Sequence, residues 1–152
     1  MPNTLQEFLA DATIKAAADL EAAFLQLPQD KRNWKPSEES RSAADQVAEC
    51  AIMNRSTIAM IQGSGFPADF AYITYQQEIA ALSEDWSTLQ TLLHENTAEV
   101  VKVLLAIPDE EIGGELASPW GAVPLNETLS YPYWNMTYHT GQINYIASLL
   151  EA

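Results

Sequence analysis

Apolar positions recur at three- and four-residue spacing over four long stretches, and polar or Pro/Gly-rich segments separate them. The first stretch runs from about Leu5 to Gln26. Leu5, Phe8, Leu9, Ala12, Ala16 and Leu20 share one helical face, and Pro28 stops it. Thr4 with Glu7 three residues on predicts a capping box, in which each side chain accepts from the other residue's unpaired backbone amide. A polar connection, QDKRNWKPSEES, follows, and its one heavy side chain, Trp34, is expected to pack down over the helices. The second helix opens at Ser42, with Asp45 as its reciprocal cap, and extends to about Gln62. There GSGFP (63–67) ends it, since two glycines and a proline oppose helix propagation.

After a looser region over FAYITYQQEIAAL, a third helix spans about Ser83–Ala106, with Trp86, Leu89, Leu93, Val100 and Leu104 as its stripe. Residues 107–124 contain three prolines and three glycines, which predicts a long loop or at most a short strand pair. The last helix covers about Leu125–Leu150. Pro132 falls inside it and predicts a kink or a displaced start. Four long amphipathic helices and little else make one all-α domain over residues 1–152, a four-helix bundle with a long loop before its last helix.

Composition narrows the function more than the fold. Lys plus Arg number 7 and Asp plus Glu 21, a net charge of −14. That field repels phosphate backbones, so neither nucleic acid nor an anionic membrane is an expected partner. Cys50 is the only cysteine, which excludes an internal disulfide and a Cys-rich zinc cage; it reads as a small buried hydrophobe. The start of the chain, MPNTLQEFLADATIK, lacks the pattern of a secretory leader, and no apolar run approaches the ~18 residues of a membrane span. The expected location is the cytoplasm.

The candidate chemistry lies on the last helix. Asn135, His139, Gln142, Ile143, Ile146 and Leu150 share a face whose aliphatic end must point inward. The three polar members then point inward too, and an unsatisfied buried polar group costs about 1–3 kcal/mol. Either a hydrogen-bond partner or a metal must meet them. Trp120, Tyr133, Trp134 and Tyr138 gather near the same end, and Gln142, Trp120 and Tyr138 are candidate pocket residues. His94, with Gln90 and Thr97, reads as part of a solvated face, and Glu127 as a carboxylate suited to a helix N-terminus.

NMTYHTGQINYI resembles the final helix of the DinB-like superfamily, small four-helix bundles that include YfiT-type metal-dependent hydrolases. WKPSEESRSAADQVAEC resembles that family's entry to its second helix, and PWG its loop before the last helix. The resemblance implies a site of three histidines, one on the second helix and an His-x-x-x-His pair on the last, around a divalent ion such as nickel or zinc. Those positions carry Glu49, Asn135 and His139 here. A carboxylate can stand in for an imidazole, whereas an asparagine amide is a poor ligand for such ions. A metal-free network, with Glu49 accepting from His139 and Asn135 bridging them or holding a water, satisfies the same groups equally well. On the second helix, Glu49 with Ile52, Met53 and Met60 competes for the inward face with Val47, Ala51, Ile58 and Ile61.

The resemblance further implies a homodimer and two functional classes. One is a metal-dependent S-transferase or hydrolase-like enzyme acting on a low-molecular-weight thiol and an electrophile, in which the metal would hold a thiolate. The other is a non-enzymatic member of unassigned activity whose degenerate site, Glu49, Asn135 and His139, binds a divalent metal weakly or not at all, and which serves as a small-ligand binder or a dimeric interaction module.

Overall fold

A computed structural model describes residues 4–63, 72–118 and 120–151. Five helices occur among them: α1 (Leu5–Leu25), α2 (Ala43–Ile61), α3 (Tyr72–Ser83), α4 (Trp86–Leu105) and α5 (Leu125–Glu151). Strands β1 (Glu115–Ser118) and β2 (Gly121–Pro124) form one antiparallel hairpin, with Ser118 opposite Gly121 and Glu115 opposite Pro124. Both expected capping boxes are present, Thr4 with Glu7 on α1 and Ser42 with Asp45 on α2. Apart from Gly63, the GSGFP stop lies outside the described residues, as does Pro119 of PWG.

The four long helices close into a ring in which α1 and α2 are diagonal, each flanked by α4 and α5. Contacts fix the directions. Gln6 of α1 bonds Ile107, just past the end of α4, while Glu21 bonds Gln90 and His94, so α1 and α4 are antiparallel. Gln46 and Asn54 of α2 meet His139 and Met136 of α5 in reverse order, so that pair is antiparallel too. The connection from Gln26 to Ser42 therefore crosses a diagonal rather than joining neighbours, and Trp34 packs from it onto the core, as expected.

The core differs from the one-face pattern in two places. Leu5 and Phe8 of α1 are exposed, and Gln6, Thr13, Ala17 and Phe24 are buried with Leu9, Ala16 and Leu20. Gln6 is drawn in because its amide donates to the Ile107 carbonyl at 2.9 Å and to Asp109 Oδ1 at 2.8 Å. The two inward stripes proposed for α2 are both partly right: Val47, Ala51 and Ile52 are buried, whereas Ile58 and Ile61 are only partly so. Helix α2 touches α3, α4 and α5, so most of its circumference is covered.

Part of the looser region is regular, since residues 72–83 form α3, which lies against α2 and shortens the expected third helix to a start at Trp86 under an Asp85 cap. Residues 115–118 and 121–124 took the strand-pair option, with Gly121 at φ +111°, a conformation that favours glycine. Helix α5 begins at Leu125 and runs through Pro132, so the displaced start did not occur. Among the described residues no helix is long and apolar enough to cross a membrane.

Candidate functional site

Antiparallel packing of α2 on α5 sets Gln46, Glu49 and Cys50 opposite Gln142, His139 and Asn135. His139 is 3% exposed, and both of its ring nitrogens are engaged. Nδ1 lies 2.8 Å from Gln46 Oε1 and 3.0 Å from Gln142 Oε1, and Nε2 lies 3.1 Å from Glu49 Oε1. The second carboxylate oxygen of Glu49 forms a salt bridge with the Arg41 guanidinium, which also donates to the Asp45 carbonyl. Tyr75, from α3, lies close enough to Glu49 for the two groups to interact electrostatically. Gln46 and Glu49 fall about one and two turns inside the capped start of α2, and Arg41 sits just before the cap, so the capping box fixes where all three emerge.

Electrostatics follow the geometry. Burial raises the Glu49 carboxyl, but the bond from His139 and the charge of Arg41 outweigh it, and its pKa lies below the ordinary glutamate value. Burial first, and the negative charge of Glu49 second, push the Tyr75 phenol upward. Cys50 is fully buried and its thiol is driven well above its usual value by the same two causes, so it is no nucleophile.

The three family positions are not brought together as three donors. Glu49 and His139 meet directly. Asn135, though buried, turns its amide nitrogen to the Cys50 sulfur at 3.7 Å and does not bridge Glu49 and His139, the first of the two roles open to it. Packing explains the difference, since Asn135 lies one helical turn from His139 and opposite Cys50. Among the described residues no group of three or more His, Cys, Asp or Glu side chains is placed to hold a metal. The donor set fits a divalent ion poorly: His139 is capped on both nitrogens, Glu49 is shared between His139 and Arg41, and Arg41 brings a positive charge to the carboxylate an ion would need.

The candidate pocket residues divide between two cavities. Gln142 and Tyr138 line an open groove of about 580 Å³ together with Arg41 and Gln46, over the polar cluster. Trp120 lines a separate cavity of about 340 Å³ beneath the hairpin, walled by α2 and the first turns of α5. Gln90 and His94 do not simply face solvent: they hold Glu21 at 2.6 and 2.9 Å, and Thr97 is buried against Asn54. Sequence reasoning did not single out Gln46 or Arg41. Gln46 had a signal, three residues before Glu49 on one helical face; Arg41 precedes the helix and had none.

The arrangement is that of a four-helix bundle with a hydrogen-bonded polar cluster between α2 and α5. No protein-family model and no curated protein matches the chain. Among solved structures it is similar to YfiT from Bacillus subtilis, described as a probable metal-dependent hydrolase with an unusual four-helix bundle topology (TM-score 0.82, 11% identity, covering 99% of this chain and 90% of that one). It is also similar to a mycothiol-dependent maleylpyruvate isomerase (TM-score 0.73, 15% identity, covering 94% of this chain and 61% of that one). A third is the colibactin self-resistance protein ClbS in complex with double-stranded DNA (TM-score 0.69, 14% identity, covering 97% and 98%). This chain thus spans about three-fifths of the isomerase's length, and likenesses at these identities establish the fold.

Proposed function

We propose that this protein is a metal-independent, small-molecule-binding DinB-like bundle, in which a protein cation replaces a metal at the family's site. The observation that carries this reading is the Arg41–Glu49–His139 chain, closed at its far end by Gln46 and Gln142. A carboxylate already neutralised by a guanidinium gains little from an ion, and a buried imidazole already paired on both sides must break hydrogen bonds to ligate one. The cavities on either side of the cluster give a small ligand somewhere to sit. Nucleic acid does not suit a chain of net charge −14, whatever the DNA held by ClbS. A cytoplasmic homodimer belongs to the same reading: on α5 the exposed Trp134, Tyr138 and Tyr145 offer a face free of charged side chains.

The second reading, metal-dependent chemistry on a thiol substrate, draws its support from the names of the isomerase and of YfiT. In it Arg41 leaves Glu49, and Glu49 with His139 holds nickel or zinc weakly, with water completing the shell. Titration calorimetry with nickel and zinc separates the two. The wild type should show no stoichiometric uptake, and Arg41→Ala combined with Asn135→His should gain it, because the guanidinium is gone and a second imidazole lies one turn from His139. Tight stoichiometric binding by the wild type would overturn the first reading.

A further inference from the structure

The cavity beneath the hairpin shares no lining residue with the His139 cluster, and its chemistry is of a different kind. Its walls are apolar: Met53 and Met60 from α2, Val123 from β2, Tyr131 from α5, and the indole of Trp120 at the rim, 76% exposed. Thioethers adapt to ligands of varied outline, and the two rings present π faces. Among the described residues, three polar side chains line it besides the Tyr131 hydroxyl and the Trp120 indole N–H, and all three accept. The Thr57 hydroxyl spends its hydrogen on the Met53 carbonyl at 2.9 Å, and that of Thr128 on the Pro124 carbonyl at 3.2 Å, leaving lone pairs for a ligand. Glu127 adds a carboxylate. Among the described residues no Lys, Arg or His lines the space.

An anion would find two neutral donors, the tyrosine hydroxyl and the Trp120 indole N–H, and otherwise acceptors there, inside the field of a chain carrying −14. A neutral apolar molecule would leave the carboxylate unused. From this lining we infer that the cavity binds a small organic cation, an alkyl- or arylammonium, with its N–H groups toward Glu127 and the threonine oxygens and its apolar body against the two methionines, Trp120 and Tyr131. The volume, about 340 Å³, suits a molecule of that size. Burial and the charge of Glu49 keep the Tyr131 phenol protonated, so its ring meets the cation as a neutral π face. The inference takes from the reading above only that the bundle binds a small molecule, and it stands whether or not a metal binds at His139.

Phenethylammonium, phenethyl alcohol and phenylacetate share one aromatic body and differ in charge, so isothermal titration of the intact chain with each at low ionic strength tests the idea. The ammonium should bind at one site per chain, and the alcohol and the acetate at least about fivefold more weakly, the worth of an exposed cation–π or charge contact. Glu127→Gln should weaken the ammonium by roughly fivefold and leave the alcohol unchanged, while Trp120→Ala should weaken both. Both positions are exposed, and a far-ultraviolet spectrum verifies that each variant folds. Equal or tighter binding of the alcohol or the acetate, indifference to Glu127→Gln, or no binding of the ammonium overturns the assignment. Repeating the ammonium titration with nickel present separates it from the metal question: metal uptake by the wild type would sink the metal-independent reading and leave ammonium affinity untouched.

Discussion

Replacing His139 with alanine removes one ring and its polar contacts at once: Nδ1 with Gln46 at 2.8 Å and Gln142 at 3.0 Å, and Nε2 with Glu49 at 3.1 Å. The ring is 3% exposed, so water replaces those partners poorly. A buried acceptor left alone costs about 1–3 kcal/mol, and a fully uncompensated buried charge about 3–5 kcal/mol. Glu49 would keep its salt bridge with Arg41, so the upper figure does not apply. Both glutamine amides can turn toward the space the ring leaves. The expected loss is about 3 kcal/mol, or a fall in Tm of roughly 6–12 °C for a chain of this size. Urea unfolding followed by circular dichroism measures it. Asn135→Ala is the control, because that side chain's amide nitrogen meets only the Cys50 sulfur at 3.7 Å, and the expected loss is about 1 kcal/mol. Two results would refute the reasoning: a His139→Ala loss no larger than that of Asn135→Ala, or a chelator that lowers the wild type to the level of His139→Ala.

Acid should act through the same cluster. The folded-state pKa of Glu49 lies below its ordinary 4.5, so the unfolded chain binds the extra proton first. The contribution of Glu49 is then complete above that value and is lost as pH falls through the depressed one. Glu49→Gln should flatten this limb of a stability-versus-pH curve, and an unchanged slope below 4.5 would count against the pairing. Cys50, buried and with its thiol raised, should resist an aromatic disulfide reagent in the native state and react only on unfolding; rapid labelling of folded protein would contradict its placement.

Much of the fold is local chemistry and was legible along the chain. Thr4 with Glu7 and Ser42 with Asp45 set helix starts within a few bonds of themselves, so no distant residue is needed to place them. The inward turn of His139 followed from its spacing to Ile143 and Ile146, and both are buried beside it. Helix α3 was harder to foresee, because only Ile79 among its described residues is fully buried, which leaves a faint apolar stripe. Gln6 shows the same limit from the other side. Its burial depends on Ile107 and Asp109, a hundred residues away, and no local pattern encodes that.

The site divides along the same line. That a polar residue of the last helix must face a polar partner was determined by periodicity and the cost of an unsatisfied buried group. Which partner it meets was decided only when α2 and α5 packed antiparallel. That packing put Gln46 and Glu49 on the two sides of one imidazole, and it set Asn135 against Cys50 instead of His139. Arg41 reached Glu49 from outside any helical period. Helical spacing orders side chains along one rod, but the distance between two rods, and the choice of cation between them, is a property of the assembled bundle.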